Sequence, residues 1–385
     1  MNIDYIKPTA AVALADEARK LEGIGIPIIK LQTGDPDFST HHKICDSANA
    51  ALKSGMTHYS LSQGLPVLRQ KISEELNKEL SSNFLDQNWI LITNGAAEGI
   101  YSVMASLLEQ ADEIIILEPN WPTVDSLGTL LGGKTLKINT LNSVESILNQ
   151  LEKSYTDKTK MLCFNSPNNP TGLVYDQFTI DSICNWAIEK DLYILADEVY
   201  RYLQFSSLES TSLSNLLNYN KYIFVDSFSK KFAMTGWRIG YVAAHPSTLN
   251  KISKASQLTI THVAPFVQMA ALTAMVDDDS LEYCVEMKSI YNQRRLALIN
   301  ICRELGLDLL TPTGGFYLFI RLGKGIDDVA FCQRMLKEKQ TCIVPGSAFG
   351  ASGRNCIRIS FATELETTIE GVNRIAEMIS TQNYE

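Results

Sequence analysis

The 385-residue sequence predicts an α/β protein: a mostly parallel seven-stranded sheet sandwiched by helices, joined to a smaller α+β domain. From about residue 89, short apolar runs alternate with longer helical patterns, as in a parallel sheet whose two faces are covered by helices. After about residue 290 a long helical pattern precedes short strand patterns and a last helix, which indicates a second domain. The chain is also too long for one small core, so we expect two domains.

The strands of the predicted sheet are apolar runs that lie between residues 89 and 244. In chain order they read WILIT, EIIIL, TLKIN, MLCFN, LYILA, YIFVD and RIGYVAA. Helical patterns such as AAEGIYSVMASLLEQ and QFTIDSICNWAIEKD lie between them. We therefore predict a large domain over residues 46–290 and a small C-terminal domain over residues 291–385, with the N-terminal segment 1–45 contributing to the small domain.

Composition excludes several classes of protein. The formal charge of −9 argues against nucleic-acid binding, which needs clustered Lys and Arg. Eight cysteines without a CxxC pair indicate small buried side chains in a reducing compartment, and the five histidines lack the spacing of a metal site. The N-terminus lacks a signal-peptide pattern, and no apolar run approaches the roughly 20 residues of a membrane span. We expect a cytoplasmic protein without a metal.

Candidate functional side chains follow the predicted strands, because ligands of open α/β sheets bind beyond the carboxyl ends of the strands. WILIT is followed by NGAAEG, where a helix begins and the N–H groups near Gly95, Ala96 and Ala97 can face an anion. The later strand ends offer Trp121 as a flat face, Asn168 or Asn169 in SPNNPTG, Asp197 and Tyr200 in DEVY, and the lysines of SFSKKFAMTGWR.

Each of these features alone has an ordinary structural explanation, as a helix start, a turn, a helix cap or a core residue. Together, an anion site, a stacking face, an amide, a carboxylate and a lysine at successive strand ends are difficult to explain as coincidence. They describe a site for a flat, phosphorylated ring that carries an aldehyde.

The stretch SKKFAMTGWRIGY resembles the lysine signature of pyridoxal-phosphate (PLP) enzymes of fold type I, specifically the class I/II aminotransferases of the aspartate aminotransferase superfamily. The resemblance runs nearly from end to end, from PTAAVALADEARKLEGIGIPIIKLQTGDPDF to VPGSAFGASGRNCIRISFA. It implies the PLP transferase fold, PLP as cofactor, and transfer of an amino group between an L-amino acid and a 2-oxo acid with ping-pong kinetics.

The resemblance also distinguishes the two adjacent lysines. Lys230 matches the Schiff-base lysine, because the phosphate-binding arginine of the family lies eight residues on, at Arg238, and a serine lies three residues before, at Ser227. Lys231 is then a bystander. Burial and a neighbouring cation lower the pKa of a lysine toward neutral pH. A nucleophilic amine requires this, because it must lose its proton before it can react. Ser227 and the helix-start amides complete the implied phosphate pocket.

Further residues match groups that contact the ring. Asp197 matches the carboxylate that keeps the pyridine nitrogen protonated, so that the ring withdraws electrons from the substrate carbon. Asn169 and Tyr200 match the groups that hydrogen-bond the phenolic oxygen, and Trp121 matches the stacked aromatic residue.

Three more matches concern the substrate and a second subunit. Arg358 in CIRISF matches the arginine that binds the substrate α-carboxylate, and Gly34 in TGDPDF, like Asn169, matches a position that contacts substrate. Tyr59 in THYSLSQ matches a tyrosine that reaches the phosphate bound by the neighbouring subunit. The resemblance therefore implies a homodimer with shared active sites.

The residues leave the substrate and the reaction type open. No motif offers an extra cation for a dicarboxylate side chain, and alanine, aromatic, methionine and basic amino acids all stay candidates. Tyr101 and Met104 are either pocket or core residues. The same signature also suits a PLP-dependent enzyme that catalyses β- or γ-elimination or cyclisation, such as a cyclodehydratase that acts on hydroxyarginine. The guanidinium of that substrate could meet Glu118, Asp35 or Asp37. A regulator without turnover is disfavoured by the acidic charge.

Overall fold

A computed structural model describes residues 10–205, 219–323 and 325–382 of the chain. Within these ranges the helices are α1 Ala10–Gly23, α2 His42–Lys53, α3 Pro66–Glu79, α4 Ala96–Leu107, α5 Pro122–Leu130, α6 Val144–Ser154, α7 Gln177–Glu189, α8 Phe228–Lys231, α9 Pro246–Ile260, α10 Pro265–Val276, α11 Asp278–Glu304, α12 Asp328–Lys339 and α13 Leu365–Gln382. The strands are β1 Ile29–Lys30, β2 Ile90–Thr93, β3 Glu113–Glu118, β4 Lys134–Asn139, β5 Thr159–Asn165, β6 Tyr193–Asp197, β7 Tyr222–Ser227, β8 Gly240–Ala244, β9 Asp308–Leu310, β10 Tyr317–Arg321, β11 Thr341–Cys342, β12 Val344–Pro345 and β13 Cys356–Ser360.

The large sheet has the order β2-β8-β7-β6-β5-β3-β4 in the described part of the chain. Its strands run parallel except for β8, which is antiparallel to both of its neighbours. Each strand coincides with one of the apolar runs of the sequence. The predicted α/β class with a mostly parallel seven-stranded sheet is therefore confirmed.

The central strands are continuous apolar runs because helices cover both faces of the sheet. β6, for example, is buried along its whole length. Ile194 belongs to a core cluster with Leu68 of α3 and Ile180 of α7 on one face. The next residue, Leu195, belongs to a separate cluster with Val103 of α4 on the other face. Alternate residues of one strand therefore anchor helices on opposite sides, and the strand ends stay free for ligands.

A second, antiparallel sheet has the order β12-β13-β10-β9, and β1 pairs in parallel with β11. Leu14 and Leu31 of the N-terminal segment lie in the same buried cluster as Phe331 of α12. The long helix α11 contributes Cys284 to the large-sheet core and Leu298 to this second core. Residue 290 therefore lies inside one continuous helix, and the domain boundaries at 45 and 290 stay a prediction.

All eight cysteines are free thiols, and seven of them are buried, in accord with their interpretation as small core residues. Among the described residues, no helix combines the length and apolar character needed to cross a bilayer. The same part of the chain contains no group of three or more His, Cys, Asp or Glu side chains arranged to hold a metal ion.

Candidate active site

A cavity of about 300 Å³ lies beyond the carboxyl ends of β5, β6 and β7. Most of the residues predicted for the site line it, namely Gly34, Ala96, Ala97, Trp121, Asn169, Asp197, Tyr200, Ser227, Lys230, Arg238 and Arg358. It is also lined by Asn165, Val199, Ser229, Thr235 and Tyr317. The fold therefore brings together residues that are separated by more than 300 positions in the sequence.

One side of the cavity combines helix N–H groups with a permanent positive charge. The N–H groups in the first turn of a helix lack intrahelical partners, and Ala96 and Ala97 begin α4 here. Gly95 precedes them with φ +77°, and a Cβ at Gly95 would lie 2.5 Å from Nη2 of Arg238. Only glycine allows this approach. Ser227 adds a hydroxyl whose oxygen accepts from an N–H of α8 at 3.3 Å. This donor set suits a phosphate group.

Lys230 extends from α8 toward the N-terminal segment. Its Nζ donates a hydrogen bond to the backbone oxygen of Gly34 at 2.7 Å. Burial lowers the pKa of Lys230 to about 8; the nearby charge of Arg238 acts in the same direction, and that of Asp35 opposes it. A lysine with this pKa supplies a useful fraction of neutral amine near neutral pH, as nucleophilic and general-base chemistry requires.

Asp197 is the last residue of β6, and its side chain is buried at 6% exposure. One carboxylate oxygen accepts a hydrogen bond from the backbone N–H of Val199 at 3.3 Å. Burial raises the pKa of Asp197 to about 7, because this single backbone donor and the charge of Lys230 compensate only part of the lost hydration. A carboxylate in this position would be stabilised by a cationic N–H group that a ligand brings into the cavity.

Arg358 lies on β13 and is held from several sides. Its Nη1 donates to Oδ1 of Asn169 at 3.0 Å, and its Nη2 donates to the backbone oxygen of Gln32. The guanidinium carbon lies 4.6 Å and 4.9 Å from the ring centroids of Tyr317 and Phe349. Its buried Nε has no hydrogen-bond partner among the described residues. The guanidinium is thus fixed in orientation and retains capacity to bind a carboxylate.

The turn SPNNPTG gives different environments to its two asparagines. Oδ1 of Asn168 accepts from the backbone N–H and the hydroxyl of Thr171 at 3.1 Å and 2.7 Å, and its Nδ2 donates to the oxygen of Pro119 at 3.0 Å. The backbone N–H of Asn169 donates to Oδ1 of Asn165 at 2.7 Å, and its side chain lines the cavity. Asn168 therefore stabilises the turn, and Asn169 is the residue available to a ligand.

Tyr317 is a cavity residue that the sequence analysis missed. Its hydroxyl lies 2.6 Å from the hydroxyl of Tyr200, and burial raises the pKa of both phenols. A Cβ at Gly34 would collide with the same hydroxyl, so glycine is needed there for close approach. The available signal was the aromatic run after two glycines in GGFYLFIRL. Because β10 belongs to the second sheet, the search at strand ends of the first sheet did not reach it.

Two groups of residues from the sequence analysis lie elsewhere. Tyr59 is 90% exposed, and its ring contacts the ring of His262 with centroids 5.7 Å apart. Met104 is fully buried in the core cluster on one face of the large sheet. Neither Met104 nor Tyr101 is among the described residues that line the cavity. Core packing is therefore the correct interpretation for Met104.

The three acids considered for a guanidinium substrate already have partners. Asp37 forms a two-point ion pair with Arg294, at 2.8 Å and 2.9 Å. Glu118 accepts a hydrogen bond from the backbone N–H of Ser352 at 3.2 Å. Asp35 accepts one from a threonine hydroxyl at 2.6 Å. None of the three lines the cavity among the described residues. These contacts give no support to the cyclodehydratase alternative.

Comparisons with known proteins agree with this geometry. The model of the family "aminotransferase class I and II" matches residues 26–375. Aromatic-amino-acid aminotransferase 2 of Thermococcus litoralis is 34% identical over 381 residues, which cover 98% of this chain and 97% of the relative. Aspartate aminotransferase of Pyrococcus abyssi is also 34% identical, with the same coverage.

A solved structure of an aromatic aminotransferase from Pyrococcus horikoshii superposes on the chain with a TM-score of 0.87. The two are 33% identical, and the match covers 96% of this chain and 99% of that one. The family match, the full-length relatives and the superposition all agree with the resemblance drawn from the lysine signature. The chain belongs to the class I and II aminotransferase family, and the protein is an aminotransferase.

Proposed function

We propose that the protein binds PLP in this cavity and moves amino groups between an L-amino acid and a 2-oxo acid, with Lys230 as the reactive amine. The observation that carries the proposal is the joint placement of Lys230, Asp197 and Arg238 around one cavity. When bound, PLP supplies an aldehyde that reacts with amines and a ring that withdraws electrons from the substrate carbon.

The residues present fit this cofactor. Gly95 leaves room for Arg238 beside the start of α4, and the resulting set of donors matches a phosphate group. Asp197 is a buried carboxylate with an incomplete set of donors, as expected of a partner for a pyridinium N–H. Trp121 contributes a flat wall to the same cavity, and Asn169 contributes an amide.

Lys230 is the group that we expect to move a proton. Its Nζ has a pKa of about 8, so that the neutral amine can accept the α-proton of the substrate and return it without a large energetic cost. Its hydrogen bond to the oxygen of Gly34, another residue that lines the cavity, fixes the position of Nζ. The positive charges of Arg238 and Arg358 help to keep the amine neutral.

Arg358 is the group that we expect to bind the substrate α-carboxylate. Its contacts with Asn169 and Tyr317 fix the plane of the guanidinium before substrate arrives, which reduces the entropy cost of binding. We expect Arg358→Lys to raise the KM for the amino acid at least tenfold, because lysine cannot form a two-point contact. Cofactor affinity should change little; a parallel loss of cofactor would contradict the assignment.

We further propose a homodimer in which Tyr59 completes the active site of the other subunit. Tyr59 lies outside the cavity of its own chain and is almost fully exposed. Leu61 and Leu258, which are close to Tyr59 and His262 in sequence, are 56% and 89% exposed. Exposed apolar side chains of this size favour a protein interface. Sedimentation equilibrium at micromolar concentration tests the proposal, and a monomer would contradict it.

The assignment of the reactive amine is tested by a pair of adjacent lysine variants. After loading with PLP and reduction with borohydride, peptide mapping of the wild-type protein should find a phosphopyridoxyl group on Lys230. Lys230→Ala should lose the label and the activity. Lys231→Ala is the matched control, because it removes an equal charge from the next position, and it should keep both. A label on Lys231, or none, would contradict the assignment.

The amino-acid substrate is identified by a panel experiment. The PLP-loaded protein is incubated with single L-amino acids in the absence of a 2-oxo acid, and the products are identified and quantified by mass spectrometry. Transfer of the amino group stops after one turnover, because no acceptor is present to restore the enzyme. The amino acids that give one equivalent of 2-oxo acid are substrates. Sustained turnover with release of ammonia or water would contradict amino transfer.

A further inference from the structure

A second cavity, of about 250 Å³, lies beside the active site, and Val199 lines both. Neighbouring residues in sequence divide between the two cavities. Asp197, Tyr200 and Lys230 line the active site, whereas the next residue in each case lines the second cavity, namely Glu198, Arg201 and Lys231. The lysine that the sequence analysis treated as a bystander therefore lines a cavity of its own.

Among the cations that line the second cavity, Arg201 is already paired with carboxylates. Arg201 forms an ion pair with Glu79, and its Nη2 lies 3.3 Å from Oδ2 of Asp226. Glu198 is buried and lies 3.4 Å from the hydroxyl of Tyr222. Burial raises the pKa of Glu198 well above its usual value, which favours the neutral acid. With Glu198 neutral, Glu79 and Asp226 exceed the single charge of Arg201 by one negative charge, which offsets only one further cation.

Two ammonium groups also line the cavity, and of these Lys231 is influenced by the more distant charges of Asp226 and Glu75. Nζ of Lys231 and Nζ of Lys288 lie 5.0 Å and 5.1 Å from the centroid of the same ring, that of Tyr202. Among the residues that the structure describes, no carboxylate lies within 4 Å of either ammonium group. Burial lowers the pKa of both lysines, and the charge of Lys231 lowers that of Lys288 further. Two partly buried like charges beside one ring are unfavourable, and the one excess carboxylate charge in the cavity leaves room for an anionic counter-ion.

We propose that this second cavity binds a small oxyanion with two negative charges through Lys231 and Lys288. Lysine binds phosphate and carboxylate groups as a point charge, and two lysines suit a divalent ion. The cavity volume limits the ligand to a small ion or a short organic acid. Leu80, Pro167 and Phe224 contribute apolar wall to the same cavity, so that a short carbon chain is accommodated as well as a free phosphate.

Calorimetry with inorganic phosphate tests the site in the PLP-loaded protein, in which the cofactor occupies the phosphate pocket of the active site. Titrations at constant ionic strength compare Lys231→Met and Lys288→Met with Lys254→Met, which removes an exposed lysine on α9 as the matched control. Each cavity variant should bind phosphate about tenfold more weakly, because each loses one charged contact. Affinity in the control should equal that of the wild type. Equal affinity in all variants would overturn the proposal.

Lysine labelling gives a second readout that requires no variant. The wild-type protein is acetylated briefly with and without phosphate, and in a parallel arm with and without succinate, and each lysine is quantified by mass spectrometry. Either anion should slow the labelling of Lys231 and Lys288 severalfold and leave Lys254 unchanged. Stronger protection by phosphate or by succinate identifies the head group. Unchanged labelling of both cavity lysines with both anions would overturn the proposal. A failure of the cofactor assignment would appear instead as the absence of the phosphopyridoxyl label on Lys230 after borohydride reduction.

Discussion

The low pKa of Lys230 leads to a quantitative prediction about the reactivity of this amine in the cofactor-free protein. An ordinary lysine with a pKa of 10.5 is neutral to about 0.03% at pH 7, whereas a pKa of about 8 gives about 10%. The neutral fraction of Lys230 at pH 7 is then about 300-fold larger than that of an ordinary lysine. Since burial is the main cause, the effect should vanish when the protein unfolds.

Competitive acetylation with a limiting reagent measures this pKa directly. The labelling rate of each lysine peptide is followed from pH 6 to 11 by mass spectrometry, with the exposed Lys254 as an internal standard for reagent decay. We expect a midpoint near pH 8 for Lys230. Intrinsic nucleophilicity falls together with pKa, so the midpoint of the profile is the readout and the absolute rate is not. A midpoint near 10.5 in the folded protein would refute the reasoning.

The variant Asp35→Asn adds a test of direction. The charge of Asp35 raises the pKa of Lys230 against the effect of burial. Removal of that charge should therefore move the midpoint to lower pH, and the neutral amine should persist further into the acid range. An upward shift would show that the electrostatic description of the cavity is wrong, even if the wild-type midpoint were correct.

Two other predictions concern packing. Gly34→Ala should reduce kcat/KM about a hundredfold, because the new Cβ collides with the hydroxyl of Tyr317 and displaces groups that hold the substrate. Gly236→Ala is the control, because a Cβ there meets nothing within 4 Å. Equal activity of the two variants would contradict the predicted collision. Ile194→Ala, in the core of the large sheet, should lower the free energy of unfolding by about 2–5 kcal/mol in urea denaturation. Ile24→Ala, at a position that is 75% exposed, should change it by less than about 0.5 kcal/mol.

The large sheet could be predicted from the sequence because its strands are buried on both faces. A strand such as β3 is buried at every position and reads as an unbroken apolar run, which is a strong signal. The same rule directs attention to strand ends, and Asp197 and Asn169 both line one cavity there, although the rule alone left Asn168 or Asn169 open. Sequence reasoning was thus most successful where one physical constraint, burial of both faces, determines the pattern.

Residues contributed by the second sheet were harder to predict. Arg358 was identified only through the family resemblance, and Tyr317 was missed. In the structure, β13 and β10 pair so that Arg358 lies opposite Phe319 and diagonal to Tyr317 on the same face. This register depends on a contact between strands that are about 40 residues apart. No local pattern in the sequence specifies such a pairing, so the partner of Arg358 becomes visible only in the folded chain.

The adjacent residues Lys230 and Lys231 show that the lysine signature carries information about only one of its two lysines. Lys230 and Lys231 are adjacent in a single helical turn, in which successive side chains point about 100° apart. Asp197 and Glu198 diverge for a related reason, because side chains alternate along an extended strand. The resemblance of SKKFAMTGWR implies a role for Lys230 alone, and Lys231 is free to line another cavity. The charge on Lys231 then has to be explained by its own surroundings, which include the charges of Arg201 and Asp226, an aromatic ring shared with a second ammonium group, and space for an anion.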